Sequence, residues 1–140
     1  MRFKKAETQF EYFSLMQIRA TVFMCEQNVD PLLEIDDEDK TCDQFVVYDN
    51  DEIIGTCRVL KHESDWHIGR VAVLKEHRKK HCGSFMLSEV EKIARESGVK
   101  KLELGAQVAA MPFYENNGYR GYGDIYLDAD IDHMMMEKRL

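Results

Sequence analysis

Between Val73 and Phe85 the chain runs Leu-Lys-Glu-His-Arg-Lys-Lys-His-Cys-Gly-Ser, a basic turn that closes on two small residues. If a helix begins at that point, the unpaired N–H groups of its first turn point outward and can cradle phosphate oxygens. The turn also holds His77, His81 and Cys82. Two ligands four residues apart on one helical face suit a metal, although a fourth ligand is not apparent. Cys82, beside basic residues at a helix start, is in a setting that lowers a thiol pKa and makes it oxidisable. A second charged stretch, residues 34–40 (EIDDEDK), reads either as a solvated surface turn or as an acidic rim that attracts a cationic substrate.

These residues need elements to hold them. Residues 68–73 read as a buried strand leading into the basic turn. After the turn Met86, Leu87, Val90, Ile93 and Ala94 form one apolar stripe, with Glu89, Glu91, Lys92 and Arg95 opposite, which predicts an amphipathic helix. Ser97-Gly98 closes it. Residues 101–106 form a strand parallel to the one before the helix if the crossover is ordinary.

Upstream, residues 2–6 suit a short first strand. Thr8-x-x-Glu11 has the capping-box form, and Leu15, Ile18, Val22 and Cys25 recur at helical spacing, so a helix is predicted over 9–25. Asn28 to Pro31 ends it. Residues 44–48 and 53–60 make a hairpin around Asp49-Asn50-Asp51-Glu52, with Gly55 marking a bulge or a close backbone approach. A third strand over 66–73 completes an antiparallel meander. Pro112 opens a short helix to Asn116, and strands over 119–122 and 131–138 finish the chain. Met134, Met135 and Met136 on the last strand suit either the core or a dimer contact, which leaves a homodimer open.

One domain spanning residues 1–140 is expected from this length. Nineteen basic against 26 acidic residues give a net charge of −7, which argues against broad nucleic-acid binding and is compatible with a cationic substrate. No apolar run approaches the roughly 20 residues that span a bilayer, and no signal peptide is evident. A cytoplasmic protein without membrane partners is the expectation. Cys25, Cys42, Cys57 and Cys82 lack paired spacing and read as free, mostly buried thiols.

Val71-Ala72-Val73 followed by Arg78-Lys79-Lys80-His81-Cys82-Gly83 resembles the acyl-CoA signature Q/R-x-x-G-x-G/A of the GNAT superfamily of N-acyltransferases. Pro112-Phe113-Tyr114-Glu115-x-x-Gly118-Tyr119 resembles the second signature, F-Y-x-x-x-G-F. Arg19-x-x-Val22-Phe23-x-x-Glu26-Gln27, Ala106-Gln107 and Ile131-x-His133-x-Met135 are similar to a small bacterial subgroup, so the resemblance covers nearly the whole chain. It implies an α/β fold with a mixed sheet of the α+β kind: strands one to four antiparallel, strands four and five parallel and splayed apart by a bulge.

The resemblance further implies a reaction and a site. The N–H groups of His81, Cys82, Gly83 and Ser84 would face the pyrophosphate of coenzyme A, with Arg78 and Lys79 adding charge. The pantetheine arm would lie in the splay beside Val71, pairing with the backbone of Ala72 and Val73, and a nearby N–H would polarise the thioester carbonyl. Tyr114 would protonate the leaving thiolate, or alternatively only pack over the cofactor. The substrate ammonium must lose a proton, and Glu26 or His133 are the candidate bases. Glu26 alternatively only binds the amine, and His133 alternatively is a hydrogen-bonded core residue. The sequence departs from the pattern at His81, where the family has its first glycine because backbone must approach phosphate closely.

The implied activity is transfer of an acetyl group from acetyl-CoA, without a metal, to a primary amine of a small molecule or peptide, by direct attack in a ternary complex. Two rivals stand beside it: the metal or redox site at His77, His81 and Cys82, and a non-catalytic acyl-CoA-binding or regulatory module on the same fold.

Overall fold

A computed structural model describes residues 1–140. The elements run β1 (Arg2–Lys5), α1 (Gln9–Arg19), a π-helical turn (Ala20–Glu26), α2 (Pro31–Glu34), a 3₁₀ turn (Asp37–Lys40), β2 (Asp43–Asp49), β3 (Glu52–Lys61) and β4 (Asp65–Val73). They continue with α3 (Cys82–Glu96), β5 (Lys101–Gln107), α4 (Met111–Asn116), β6 (Arg120–Asp128) and β7 (Ile131–Arg139). Seven strands form one sheet in the order β1-β2-β3-β4-β5-β7-β6, antiparallel throughout except at β4–β5. No helix is long and apolar enough to cross a membrane.

Alternation along the strands supplies both faces of the sheet. Val46, Ile53 and Ala72 face α1, packing with Leu15, Ile18 and Val22. Val47, Ile54, Trp66, Ile68, Leu102 and Leu104 face the other way, onto Met86, Leu87, Val90 and Ala94 of α3. Met136 is fully buried in that second cluster.

The capping box at α1 forms as expected, with Glu11 N–H donating to Thr8 Oγ1 at 3.1 Å and Thr8 N–H to Glu11 Oε1 at 3.1 Å. Lys4 and the Tyr48 hydroxyl also donate to this carboxylate. Burial disfavours its charge, but those hydrogen bonds outweigh the penalty and hold its pKa at about 2. The predicted single helix differs in kind: α-helical geometry stops at Arg19 and a π-helical turn carries the chain to Glu26. Such wide turns occur often at functional sites.

Pairing between β4 and β5 covers only Asp65–Ile68 against Lys101–Leu104, although the strands continue to Val73 and Gln107. The β3–β4 register shows why they part. Arg58 pairs with Gly69 and Thr56 with Ala72, so Cys57 stands opposite two residues, Arg70 and Val71, in a bulge. Arg70 takes the strain at φ 50, a left-handed conformation that costs an L-residue about 1–2 kcal/mol. The expected parallel, splayed pair is present. Gly55 behaves as expected too: β2–β3 pairing shifts beside it, and an added Cβ would lie 3.2 Å from Cys82 Sγ.

Two elements differ from the sequence reading. α2 was not expected, and β6 extends to Asp128 rather than ending near Tyr122. β6 is an edge strand exposed along most of its length, so it lacks the apolar alternation that marks a strand with a buried face. Its pairing with β7 also shifts between Tyr122 and Tyr126.

Candidate active site

The basic turn ends with His81 as the residue preceding α3, at φ 63 and ψ 16. This is the left-handed conformation for which glycine is favoured, and the histidine adopts it with its side chain exposed. The first helical bond is Phe85 N–H to His81 O at 2.9 Å, so the N–H groups of Cys82, Gly83 and Ser84 have no helical acceptor. Lys79 is exposed beside them, also left-handed at φ 65.

Close packing fixes this turn against α4. A Cβ on Gly83 would lie 2.8 Å from Phe113 Cζ, so only glycine lets the ring sit there without displacement. Asn117 Nδ2 donates to Ser84 Oγ at 3.2 Å and to Phe113 O at 2.8 Å. The two stretches singled out in the sequence are therefore in direct contact. Tyr114 follows Phe113 into the wall of the cleft, 8% exposed, edge-on to Phe113 and Tyr119. Burial, and secondarily Cys57, pushes its phenol well above the ordinary value of about 10, so it stays protonated at neutral pH.

The cleft between the parted strands has a volume of about 450 Å³. Ile68–Val71 and Leu104, Gly105 and Gln107 form its floor, and Phe23 of the π-helical turn and Gln27 just after it form one side. Gln107 Nε2 donates to Gln27 Oε1 at 2.7 Å, a bridge between the ends of β5 and the π-helical turn. From the β6–β7 hairpin come Tyr126, Asp128 and His133. The Tyr126 hydroxyl lies over Gly105, where a side chain would collide with it.

His133 stacks on Tyr126 with ring centroids 5.7 Å apart. Its Nδ1 is 2.7 Å from Ile131 O. A carbonyl only accepts, so Nδ1 carries the proton and Nε2 of the neutral ring is a proton acceptor. Glu26 stands elsewhere. It is not among the residues lining the cleft, and its carboxylate lies 2.8 Å from Arg78 Nη2. Arg78 Nε in turn donates to Val73 O at 2.9 Å. Val71 and Val73 are half-buried and Ala72 is buried.

Two expectations need correction. The Cys82 thiol is not activated: the side chain points into the core, 2% exposed, and burial pushes its pKa up to about 11. His77 turns to Glu52 at 3.5 Å and His81 is exposed, so the three residues do not converge. The 34–40 stretch is neither a plain solvated turn nor a free acidic rim. Glu34 pairs with Arg19 at 2.7 Å, Asp39 with Arg19 at 2.7 Å and Arg58 at 2.9 Å, and Asp36 with Arg58 at 2.7 Å. Glu38 reaches Arg58 only at 4.0 Å, and with Asp128 it gives the cleft an acidic edge.

The sequence reading missed His67, Arg58, Arg70 and Tyr126 as cleft residues. Burial pushes the pKa of His67 down, so it is a neutral imidazole at pH 7. Its position on β4, on the same face as Gly69 by alternation, was the available signal.

A sheet opened in this way between its one parallel pair, with a helix start packed against Phe113 beside the buried Tyr114, is the fold of the GNAT acyltransferases. The chain belongs to that family: the profile of the Acetyltransferase (GNAT) family matches residues 11–119. YjcF of Bacillus subtilis, named an uncharacterized N-acetyltransferase, is 36% identical over 122 residues, covering 86% of this chain and 87% of that protein. The crystal structure of Escherichia coli ElaA superposes with a TM-score of 0.86 at 28% identity, covering 99% of each chain. An aminoglycoside 6′-N-acetyltransferase complexed with coenzyme A shares the fold at a TM-score of 0.78 and 16% identity, over 99% of this chain and 97% of that one.

Proposed function

We propose that the protein transfers an acetyl group from acetyl-CoA to a primary amine by direct attack in a ternary complex. The observation that carries this reading is the cleft itself: β4 and β5 part after Ile68 and Leu104, and Tyr114 stands in its wall. Membership of the family supports acyl transfer, and the CoA complex of the aminoglycoside acetyltransferase supports coenzyme A as the donor's carrier.

In this reading the N–H groups of His81 to Ser84 receive the pyrophosphate, aided by the helix dipole. Arg78 and Lys79 supply charge, Arg78 held in place by Glu26. The free edge at Val71–Val73 pairs with the pantetheine arm and leaves an N–H to polarise the thioester carbonyl. His133 takes a proton from the substrate ammonium through Nε2. The amine attacks the carbonyl, the C–S bond breaks and the departing sulfur receives the Tyr114 proton, while the nitrogen gives up its second proton to the phenolate, leaving a neutral amide and a restored Tyr114. The acidic edge at Glu38 and Asp128 favours a cationic acceptor, a small molecule or a peptide amine.

Release of free thiol from acetyl-CoA over an amine panel tests the proposal. Amine-dependent release is expected. Coenzyme A binding without release for any amine would select the non-catalytic binding module instead.

A further inference from the structure

The kink that parts β4 from β5 is centred on Arg70, and a side-chain-bearing residue at φ 50 persists only where its surroundings over-determine it. Here they act through the guanidinium, which reaches back across 36 positions to the end of α2. Nε and Nη2 donate to the main-chain oxygen of Glu34 at 3.1 and 2.8 Å, and Nη2 lies 3.3 Å from Asp36 Oδ2. The acceptor is itself fixed. Arg19, with no exposed surface, donates Nη2 to the same carbonyl at 2.9 Å and Nε to the Glu34 carboxylate at 2.7 Å.

Apolar burial does not dock α2. Leu32 is 87% and Leu33 58% exposed, and the only buried residue of the helix is Glu34. The strand, by contrast, is held without Arg70, because β3 pairs with β4 on both sides of the kink. What remains for the guanidinium to set is the main-chain conformation inside the bulge, and with it the direction in which residues 71–73 leave β5.

We propose that Arg70 is a positioning residue for acyl transfer: the α2 carbonyl and Asp36 grip its guanidinium, and that grip fixes the left-handed main chain presenting Val71–Val73 to the pantetheine arm. The identity of the arm rests on the coenzyme A reading above, whereas the bracing of the bulge does not. Removing the grip leaves a bulge of the same register whose exposed edge moves, so groups that should meet the thioester at fixed distance no longer do.

Arg70→Ala keeps a Cβ at the left-handed position and removes the grip; Arg70→Gly removes both the grip and the steric penalty. Wild type and variants are titrated with coenzyme A and with adenosine 3′-phosphate 5′-diphosphate, which has the phosphates but no pantetheine arm. Hydrogen exchange is followed over residues 69–73 and over α3. Both variants are expected to lose about tenfold in coenzyme A affinity, the scale of one charged hydrogen bond, while binding the fragment as wild type does. Exchange over 69–73 should accelerate about tenfold with α3 unchanged. Arg70→Lys, which keeps the charge without the forked grip, should move both readouts less in the same direction; it carries the test if the other variants do not fold.

Wild-type coenzyme A affinity and wild-type exchange in Arg70→Gly would overturn the proposal, because the bulge would then need only a permissive backbone. If the wild-type protein binds no coenzyme A, the cofactor reading fails separately and exchange decides: acceleration over 69–73 sustains the brace, and no change overturns it.

Discussion

The cleft has two walls built on different physics. On the α3–α4 side, Gly83 lets the Phe113 ring sit against the helix start, and a stripe of buried apolar residues anchors α3 to the sheet. On the α2 side, the apolar side chains are exposed and three arginines, Arg19, Arg58 and Arg70, grip Glu34, Asp36 and Asp39. Close packing gives the α3–α4 wall a shape insensitive to charge. The α2 wall stands on hydrogen-bonded ion pairs, so losing a single partner strands the others in low dielectric.

The largest separation between the walls should come from Arg19→Met. It leaves the buried carboxylates of Glu34 and Asp39 short of a partner, and a loss of about 3–5 kcal/mol is expected from urea unfolding. A loss near zero would show that α2 is held by something other than charge. Gly83→Ala probes the other wall. The added methyl must displace Phe113, with a cost of about 1–3 kcal/mol in the same experiment and weaker coenzyme A binding. An unchanged melt would mean that the α3–α4 contact yields easily.

Acid gives a smaller, local effect. Burial alone would raise the pKa of Asp39, but hydrogen bonds from Arg19, from the Asp36 N–H and from Arg58 outweigh it and hold the carboxyl well below its usual range. Arg58 likewise lowers Asp36. A depressed carboxylate contributes stability that is complete above its unfolded pKa of about 3.9 and is lost as pH falls through the lower folded value. Hydrogen-exchange protection over residues 31–40, taken relative to the intrinsic rate at each pH, should therefore fall as pH drops below about 4, ahead of α3. Simultaneous loosening of both regions would erase the proposed contrast.

This contrast also decides what the sequence could reveal. The α3 wall is local: the apolar stripe of α3, like the capping box of α1, is a pattern within a few residues, and both formed as expected. The relation of Gly83-Ser84 to Phe113-Tyr114 needed only the resemblance to a known order of motifs. The α2 wall is non-local. Arg19 meets Asp39 across 20 positions and Arg70 meets Glu34 across 36, so a dense acidic run looked solvated or substrate-facing when Glu34, Asp36 and Asp39 within it were already paired. Glu26 was read as a candidate base or amine-binding residue, and its partner Arg78, 52 positions away, was not legible. Cys82 misled for a related reason: sequence placed it at a helix start among cations, while the fold turned its side chain inward against Gly55.

The central claim is that Tyr114, a buried phenol in the wall of the parted strands, donates its proton to the departing thiolate. Free-thiol release by wild type and Tyr114→Phe, measured with acetyl-CoA and an accepted amine alongside coenzyme A affinity, tests it most directly. The account predicts a fall in kcat of about 100-fold or more with affinity retained. Equal turnover by the two proteins would contradict it.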